Sequence, residues 1–297
     1  MKPTLSQNVF NIFNLALMAF LCMVFIYPLL YVTALSFNDG MDAMKGGIYL
    51  LPRIWSLENY KSILQEKRIL GSTAISLYRT LLGAVLSVIL NSCFAFALLK
   101  KDLPGRKFFS WLVLIPMYFS GGIIPYFLVC KYLGLVNNIL VYLLPWIFVP
   151  FFILLLRVNL QDIPVSLEES AKLDGAGYFS IYSRIYLPLS APALATIALL
   201  SGIMHWNDWF DGTVMVYNSK LWPLQTLLLH IIQGADIMKF FKGKNIAAAG
   251  SMAKRVRITV ESLKMAMLVI TVAPIVLAYP FLQKYFVKGI MIGSLKG

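Results

Sequence analysis

The residues best suited to do work in this sequence are arranged for docking rather than for catalysis. Between Asp162 and Pro192 the apolar pattern stops for about thirty residues, and acids, small residues, glycines and prolines gather there. Ser166 and Glu169 stand in an S-x-x-E arrangement, the capping box that opens a helix. Leu167 to Asp174 then suffice for about two turns. Glu168 and Glu169 fall near the positive end of that helix, where acids are favourable. Ser170 and Ala171 are small enough to let another backbone approach. Gly175 supplies the left-handed stop that helix ends commonly need. A second helical stretch, Tyr178–Tyr186, is expected after Gly177, ending before Pro188. Pro188 and Pro192 lead into the next apolar run, where a missing amide proton costs little. No base, nucleophile or metal cluster accompanies the segment, so it reads as a docking knob.

Other polar residues are candidates of a different kind. Arg79 and Asp208 are ionisable residues in or at the edge of apolar runs, with Asn91, Trp206 and Asn207 as polar neighbours. Buried charge in an apolar span is costly, which makes these residues candidates for lining a substrate path. For Asp208 an ordinary acid at the membrane surface is the competing reading. His205 and His230 are isolated and read as structural histidines. Cys22, Cys93 and Cys130 lie in apolar runs without metal-ligand spacing, and read as small buried hydrophobes. There is no G-x-x-x-x-G-K-[ST] loop to cradle phosphates. Two scattered histidines do not make a convergent catalytic set, so no enzyme, metal or bound cofactor is expected on this chain.

The elements that must position these residues are set by composition. Of 297 residues, 59% are apolar and 13% charged, with a mean hydropathy of +0.76. Soluble domains average about 45–50% apolar and about 25% charged, so the expected solvent is a bilayer. Crossing it takes about 20 apolar residues per helix. Six segments qualify, at about 9–34, 77–99, 108–130, 139–156, 191–210 and 263–285. They predict an all-α membrane protein, a single transmembrane domain over residues 1–297. The first run exceeds a signal-peptide core and no small-x-small cleavage site follows it, so it reads as a retained span. The third contains Pro116, Gly121, Gly122 and Pro125, enough to break it at membrane depth. Freed backbone there must be buried in protein or line a wet cavity, and interrupted spans point to transport sites.

Six spans put both termini on one side. With the termini inside, 11 basic residues fall on the inner side and 13 on the outer, so raw counting does not decide orientation. The short stretch Lys100–Lys107, half of it basic, favours termini inside. The net charge of +13 suits anionic lipid headgroups, and no base-reading motif suggests nucleic acid.

One spacing is specific. Glu169-Ser170-Ala171, three residues, Gly175, nine residues and Ile185-Tyr186-Leu187-Pro188 resemble the EAA signature of bacterial ABC importer permeases: EAA, three residues, G, nine residues, I-x-L-P. Every gap agrees, and Ser170 in place of the first alanine is a small-for-small departure. Asp174-Gly175-Ala176 resembles the sugar-importer form of the motif. Pro52, Trp55-Ser56 and Asn59-Tyr60 resemble an extracytoplasmic P-x-x-W-S-x-x-N-Y element, and Trp206-Asn207-Asp208 a W-N-[DE] element. The ending FLQKYFVKGIMIGSLKG resembles that of the carbohydrate-uptake subfamily, in the role of a MalG-like subunit. Within that group the chain is similar to permeases of complex-oligosaccharide importers, including the bacterial alginate importer.

The resemblance implies a type I ABC importer permease fold, with six transmembrane helices and a cytoplasmic coupling helix between spans four and five. It implies that Ser166, Glu168, Glu169, Ser170, Ala171, Asp174, Gly175, Ala176, Ile185, Leu187 and Pro188 couple transport to an ATPase. ATP and Mg would reside in two partner ATP-binding subunits. A second homologous permease and an extracytoplasmic solute-binding protein would complete the assembly in the bacterial inner membrane, with both termini cytoplasmic. The cargo would be an oligosaccharide. In the segment Gly212–Val260, Lys220, Lys239, Lys242, Lys244, Lys254, Arg255 and Arg257 face Asp236 alone. That basic rim suits an acidic, alginate-like cargo or an acidic binding protein. The rival reading, a stand-alone ion-coupled secondary transporter, calls for internal repeats and coupling-ion carboxylates. The chain has no convincing repeat, and acids in its spans are scarce.

Overall fold

The computed structural model describes residues 5–233 and 259–294, the last helix beyond Ala278 in its backbone only. Among the described residues the regular elements are helical, with an isolated antiparallel bridge between Asn38 and Trp55. The chain divides into two compact units. One comprises Met1–Ile69 and Leu228–Ala273, the other Leu70–Leu227 and Pro274–Gly297.

In the first unit, α1 (Leu5–Ser36) is a 32-residue helix whose apolar side chains are exposed along nearly its whole length. Its far end is tied down by a polar knot. Asn59, in the short α2 (Glu58–Leu64), is fully buried and donates to the Ser36 and Asn38 carbonyls at 3.0 and 3.2 Å. Those carbonyls lie at and past the helix end, where no intrahelical partner exists. Ser262 donates to the other end of the Asn59 amide at 2.9 Å. Ser36 bonds the Tyr60 hydroxyl at 2.7 Å, and the Phe37 ring packs on Tyr60. The Trp55–Tyr60 element is therefore the stopper of α1. Trp55 itself is exposed.

The second unit is organised on α3 (Lys67–Leu99), a 33-residue helix that enters it at Leu70. Then come α4 (Arg106–Tyr118), α5 (Ile123–Tyr132), α6 (Pro150–Gln161) and α7 (Val165–Leu173). After these, α8 (Tyr178–Ile181) continues through a π-helical turn, Tyr182–Tyr186, into a single turn Leu187–Leu189. The unit also holds α9 (Ala191–Asn207) and α10 (Phe210–Val214), whereas α11 (Leu224–Ile232) and α12 (Val260–Ser294) each have residues in both units. A core of Phe96 and Leu98 from α3, Phe152 and Leu156 from α6, Tyr182, Tyr186 and Ile197 holds the base of this unit together. Where α3 meets α9, Gly83 lies against the His205 ring, and a Cβ there would fall 2.3 Å from the imidazole.

Three described helical segments are long and apolar enough to cross a membrane, Gln7–Ser36, Lys67–Leu99 and Val260–Ala278. Two bent pairs, if each is one span, bring the number to as many as five. Ile139–Trp146 with Pro150–Gln161 bends by 44°, and Tyr178–Leu189 with Ala191–Val214 by 82°. The expected third span is broken as its prolines and glycines predict. α4 ends at Tyr118, Gly122 takes φ +79°, and α5 starts at Ile123. The break inside the fourth segment and the end of α9 at Asn207, inside the fifth, were not foreseen, whereas the bend at Ser190 falls just before the expected start of the fifth.

Three expectations are corrected. The helix expected to start from a Ser166 cap begins earlier, at Val165, and no side chain caps it. Pro164 sets the extended-to-helical entry at φ −59°, which leaves Ser166 inside the first turn, too late to cap. The second stretch does not end before Pro188. It runs to Leu189, and the sharp bend falls at Ser190. Of the three cysteines only Cys130 is buried, while Cys22 and Cys93 are exposed. On a helix in lipid an apolar side chain needs no protein cover, so apolar context does not imply burial.

Candidate functional site

The segment from Val165 to Leu189 presents one face outward and anchors the other. Leu167, Glu169, Ser170 and Asp174 are exposed, and Leu173 is 90% exposed, an apolar tip with nothing covering it. The helix closes with a Schellman turn. Gly175 takes φ +78°, its amide donates to the Lys172 carbonyl at 3.0 Å, and the Ala176 amide reaches the Ala171 carbonyl at 2.9 Å. This is why glycine stands at 175. Ala171, Ala176, Ile185 and Leu187 pack partly buried against the core, while Pro188 is exposed.

Glu168 points the other way. It is 8% exposed, and its carboxylate accepts from Lys100 Nζ at 2.5 Å, Tyr186 Oη at 2.8 Å and Lys172 Nζ at 2.9 Å. Burial alone would raise its pKa, but the hydrogen bonds from Lys100, Lys172 and Tyr186 outweigh it and bring it to about 2. Lys100, one residue past the end of α3, is caged by aromatic faces. Its ammonium lies 4.1 Å from the Phe96 ring centroid, 5.0 Å from Tyr186 and 5.8 Å from Tyr178. Tyr178 donates to Asp102 at 2.7 Å, a bond that holds the Asp102 carboxyl below its usual range. Sequence reasoning named Glu168 but missed Lys100, Lys172, Tyr178 and Asp102 as its surroundings. Lys172 stands four residues after Glu168, an i,i+4 pair that spacing alone could have shown, but nothing in the spacing of Lys100, Asp102 or Tyr178 links them to it.

The polar residues in the spans are engaged at the helix breaks. Asn91, fully buried, donates to the Ile147 carbonyl at 2.9 Å and accepts from the Val149 amide at 2.9 Å, bridging the gap before Pro150. Arg79, 1% exposed, donates to the Asp208 carboxylate at 3.1 Å, to the Trp206 carbonyl at 3.2 Å and to the Asp208 carbonyl. It thus places a cation on the carbonyl end of α9, where the helix dipole favours one. Asp208 accepts from the Phe210 amide at 2.9 Å through its other oxygen, starting α10. Trp206 is buried. Asn207 and Asp208 border a cavity of about 260 Å³ with Trp146 and His205. Close by, Asp211 is fully buried and accepts from Tyr126 Oη at 2.9 Å and Trp146 Nε1 at 2.7 Å. Lys220 sits in a short turn nearer the end of this unit. Lys239, Lys242, Lys244, Lys254, Arg255, Arg257 and Asp236 lie outside the described residues, as do the side chains of the C-terminal ending. The described residues hold no cluster of His, Cys, Asp or Glu able to bind a metal.

Known proteins share this arrangement over almost the whole chain. The polygalacturonan/rhamnogalacturonan transport system permease protein YtcP of Bacillus subtilis is 36% identical over 290 residues, covering 97% of this chain and 99% of the relative. The arabinooligosaccharides transport system permease protein AraQ of Halalkalibacterium halodurans is 29% identical over 284 residues, 94% of each. In a crystal structure of a bacterial ABC transporter involved in the import of the acidic polysaccharide alginate, one chain superposes with a TM-score of 0.88. It is 31% identical, and the match covers 96% of this chain and 99% of that one. The match to the family of binding-protein-dependent transport system inner membrane components spans residues 3–292, and the chain belongs to that family.

Proposed function

We propose that this chain is one of two homologous permease subunits of an ATP-driven importer that carries an oligosaccharide delivered by a solute-binding protein. The observation that carries the reading is the Val165–Leu189 foot: exposed Glu169, Ser170 and Leu173, a Schellman stop at Gly175, and EAA spacing throughout. In this reading α7 is the cytoplasmic coupling helix, six spans cross the membrane and both termini are cytoplasmic. The 82° bend at Ser190 supports it, because it turns the second half of the foot across the direction of α9. ATP and Mg belong to two separate ATPase subunits. When these close, the cleft that holds α7 moves and biases the spans toward one face, provided the ATP-bound state makes better contacts with that conformation.

The residues that meet cargo in this reading are Asn207 and Asp208, which border the cavity at the break after α9. Arg79 and Asn91 hold the breaks open rather than touch cargo, since the Asn91 amide and both terminal nitrogens of Arg79 are taken up by backbone and by Asp208, with the Arg79 Nε buried beside them. An acidic oligosaccharide is the favoured cargo. Support comes from relatives named for polygalacturonan and alginate and from the basic segment after the fifth span.

Glu169→Lys and Gly175→Pro test the coupling role. The lysine reverses charge on the docking face, and proline cannot adopt the positive φ of Gly175. Both variants should insert and fold into a complex whose ATP hydrolysis no longer drives uptake. Normal uptake in proteoliposomes would sink the assignment. Purification should bring down an ATPase and a second permease. Uptake by the chain alone, driven by an ion gradient, would instead favour a secondary transporter.

A further inference from the structure

Two polar side chains tie the foot to one helix of its unit, Ser92 to Tyr182 and Lys100 to Glu168. α3 runs without a break from Lys67 to Leu99, and buried polar groups leave it at successive levels. Arg79 grips the end of α9, and Asn91 grips the gap before α6. Ser92 shares a 2.7 Å hydrogen bond with the Tyr182 hydroxyl, in the second half of the foot. Lys100, just past the end, holds Glu168 of α7. From residue 79 to residue 100 is about 30 Å of helix at about 1.5 Å per residue. The two ends of the rod are therefore a span break and the docking knob.

We propose that Glu168 and Lys100 form a strut that makes the coupling helix and α3 move as one body, so that displacement of α7 reaches the breaks held by Asn91 and Arg79. This rests on the reading of α7 as the coupling helix. Adjacent acids divide the labour: Glu169 faces out to a partner, and Glu168 faces in and transmits. The bond suits the task. It is charge-assisted, both side chains are about 90% buried, and the ammonium lies against the rings of Phe96, Tyr178 and Tyr186, which limits its contact with water. α7 lacks a side-chain cap at its start, so Glu168 supplies an anchor in the first turn that the cap does not.

A native thiol reports on this directly. Cys93 is exposed on α3 and borders a cavity of about 390 Å³ whose other walls include Lys100, Tyr178, Phe179 and Tyr182. If foot and rod move together, the cover over Cys93 does not change when ATP binds. In the complete transporter carrying Cys22→Ser, maleimide should alkylate Cys93 at the same rate with and without ATP. In Glu168→Gln or Lys100→Gln, ATP should change that rate severalfold, ATPase subunits should stay bound, and hydrolysis should continue. Glu168→Asp and Lys100→Arg, which keep the charges, should bring the ATP response back toward zero. A purely structural role predicts a faster rate in Glu168→Gln that is the same with and without ATP, and that result overturns the strut. Loss of the ATPase subunits from the Glu168→Gln complex overturns it as well, since Glu168 would then act in docking. The underlying coupling reading fails separately, if Leu173→Cys forms no cross-link to an ATPase subunit.

Discussion

Glu168 and Glu169 are neighbours in sequence with opposite fates, and the difference is measurable. Against the upward push of burial, hydrogen bonds from Lys100, Lys172 and Tyr186 hold Glu168 at a pKa of about 2, well below the ordinary value of 4.5 for a glutamate. The lowered value means the folded state favours the ionised form. The stabilisation is fully present above about pH 4.5 and is lost as pH falls toward 2, an effect of at most roughly 3 kcal/mol. The groups facing Glu168 are Lys100, Lys172 and Tyr186. Asp102, one step further through Tyr178, also has a lowered pKa and contributes in the same direction. The comparison is therefore wild type against Glu168→Gln. The unfolding midpoint of the detergent-solubilised complex should fall more steeply with acid in the wild type, and the two curves should converge near pH 2. Parallel curves would show that the ion cluster contributes no pH-dependent stability.

At the scale of elements, the broken spans are the informative feature. A break inside a bilayer frees backbone groups that lipid cannot satisfy. Here two of them are answered by side chains from α3, the gap before α6 by Asn91 and the end of α9 by Arg79. Asn91→Leu keeps the volume but removes both bonds, leaving the Val149 amide and the Ile147 carbonyl without this partner. The expected cost is about 1–3 kcal/mol per buried group, seen as a lower unfolding midpoint. An unchanged midpoint would mean another group or water can replace the amide. Nearby, α3 and α9 approach closely because Gly83 has no Cβ. Asn59 plays the same part for α1 in the other unit, which explains why an Asn-Tyr pair follows the first span at that distance.

For the whole molecule, the exposed apolar length of α1 has to be covered by lipid or by a partner subunit, since the first unit leaves it bare. The charge of +13 bears on cargo. If the outer basic segment gathers an anionic ligand, acidic oligosaccharides should outcompete neutral ones of equal length for uptake at low salt. The advantage should shrink as salt screens the field. Equal competition at low salt would count against an acidic cargo.

Much of this was legible in the residues themselves. Local chemistry and periodicity pointed to the bilayer as solvent, to long apolar helices at the first, second and sixth segments, and to the break at Gly121–Gly122. They also gave the left-handed stop at Gly175, because a glycine after a short polar helix can adopt a φ that other residues resist. The spacing from Glu169 to Pro188 pointed to the family on its own. The tertiary structure decided what each polar group faces. Asn91, Arg79 and Lys100 find their partners 56, 129 and 68 residues away in sequence, separations at which no local pattern operates. Likewise, Ser166 stood in a correct capping pattern but Pro164 started the helix first, and only the folded chain shows that Glu168 turns inward to Lys100.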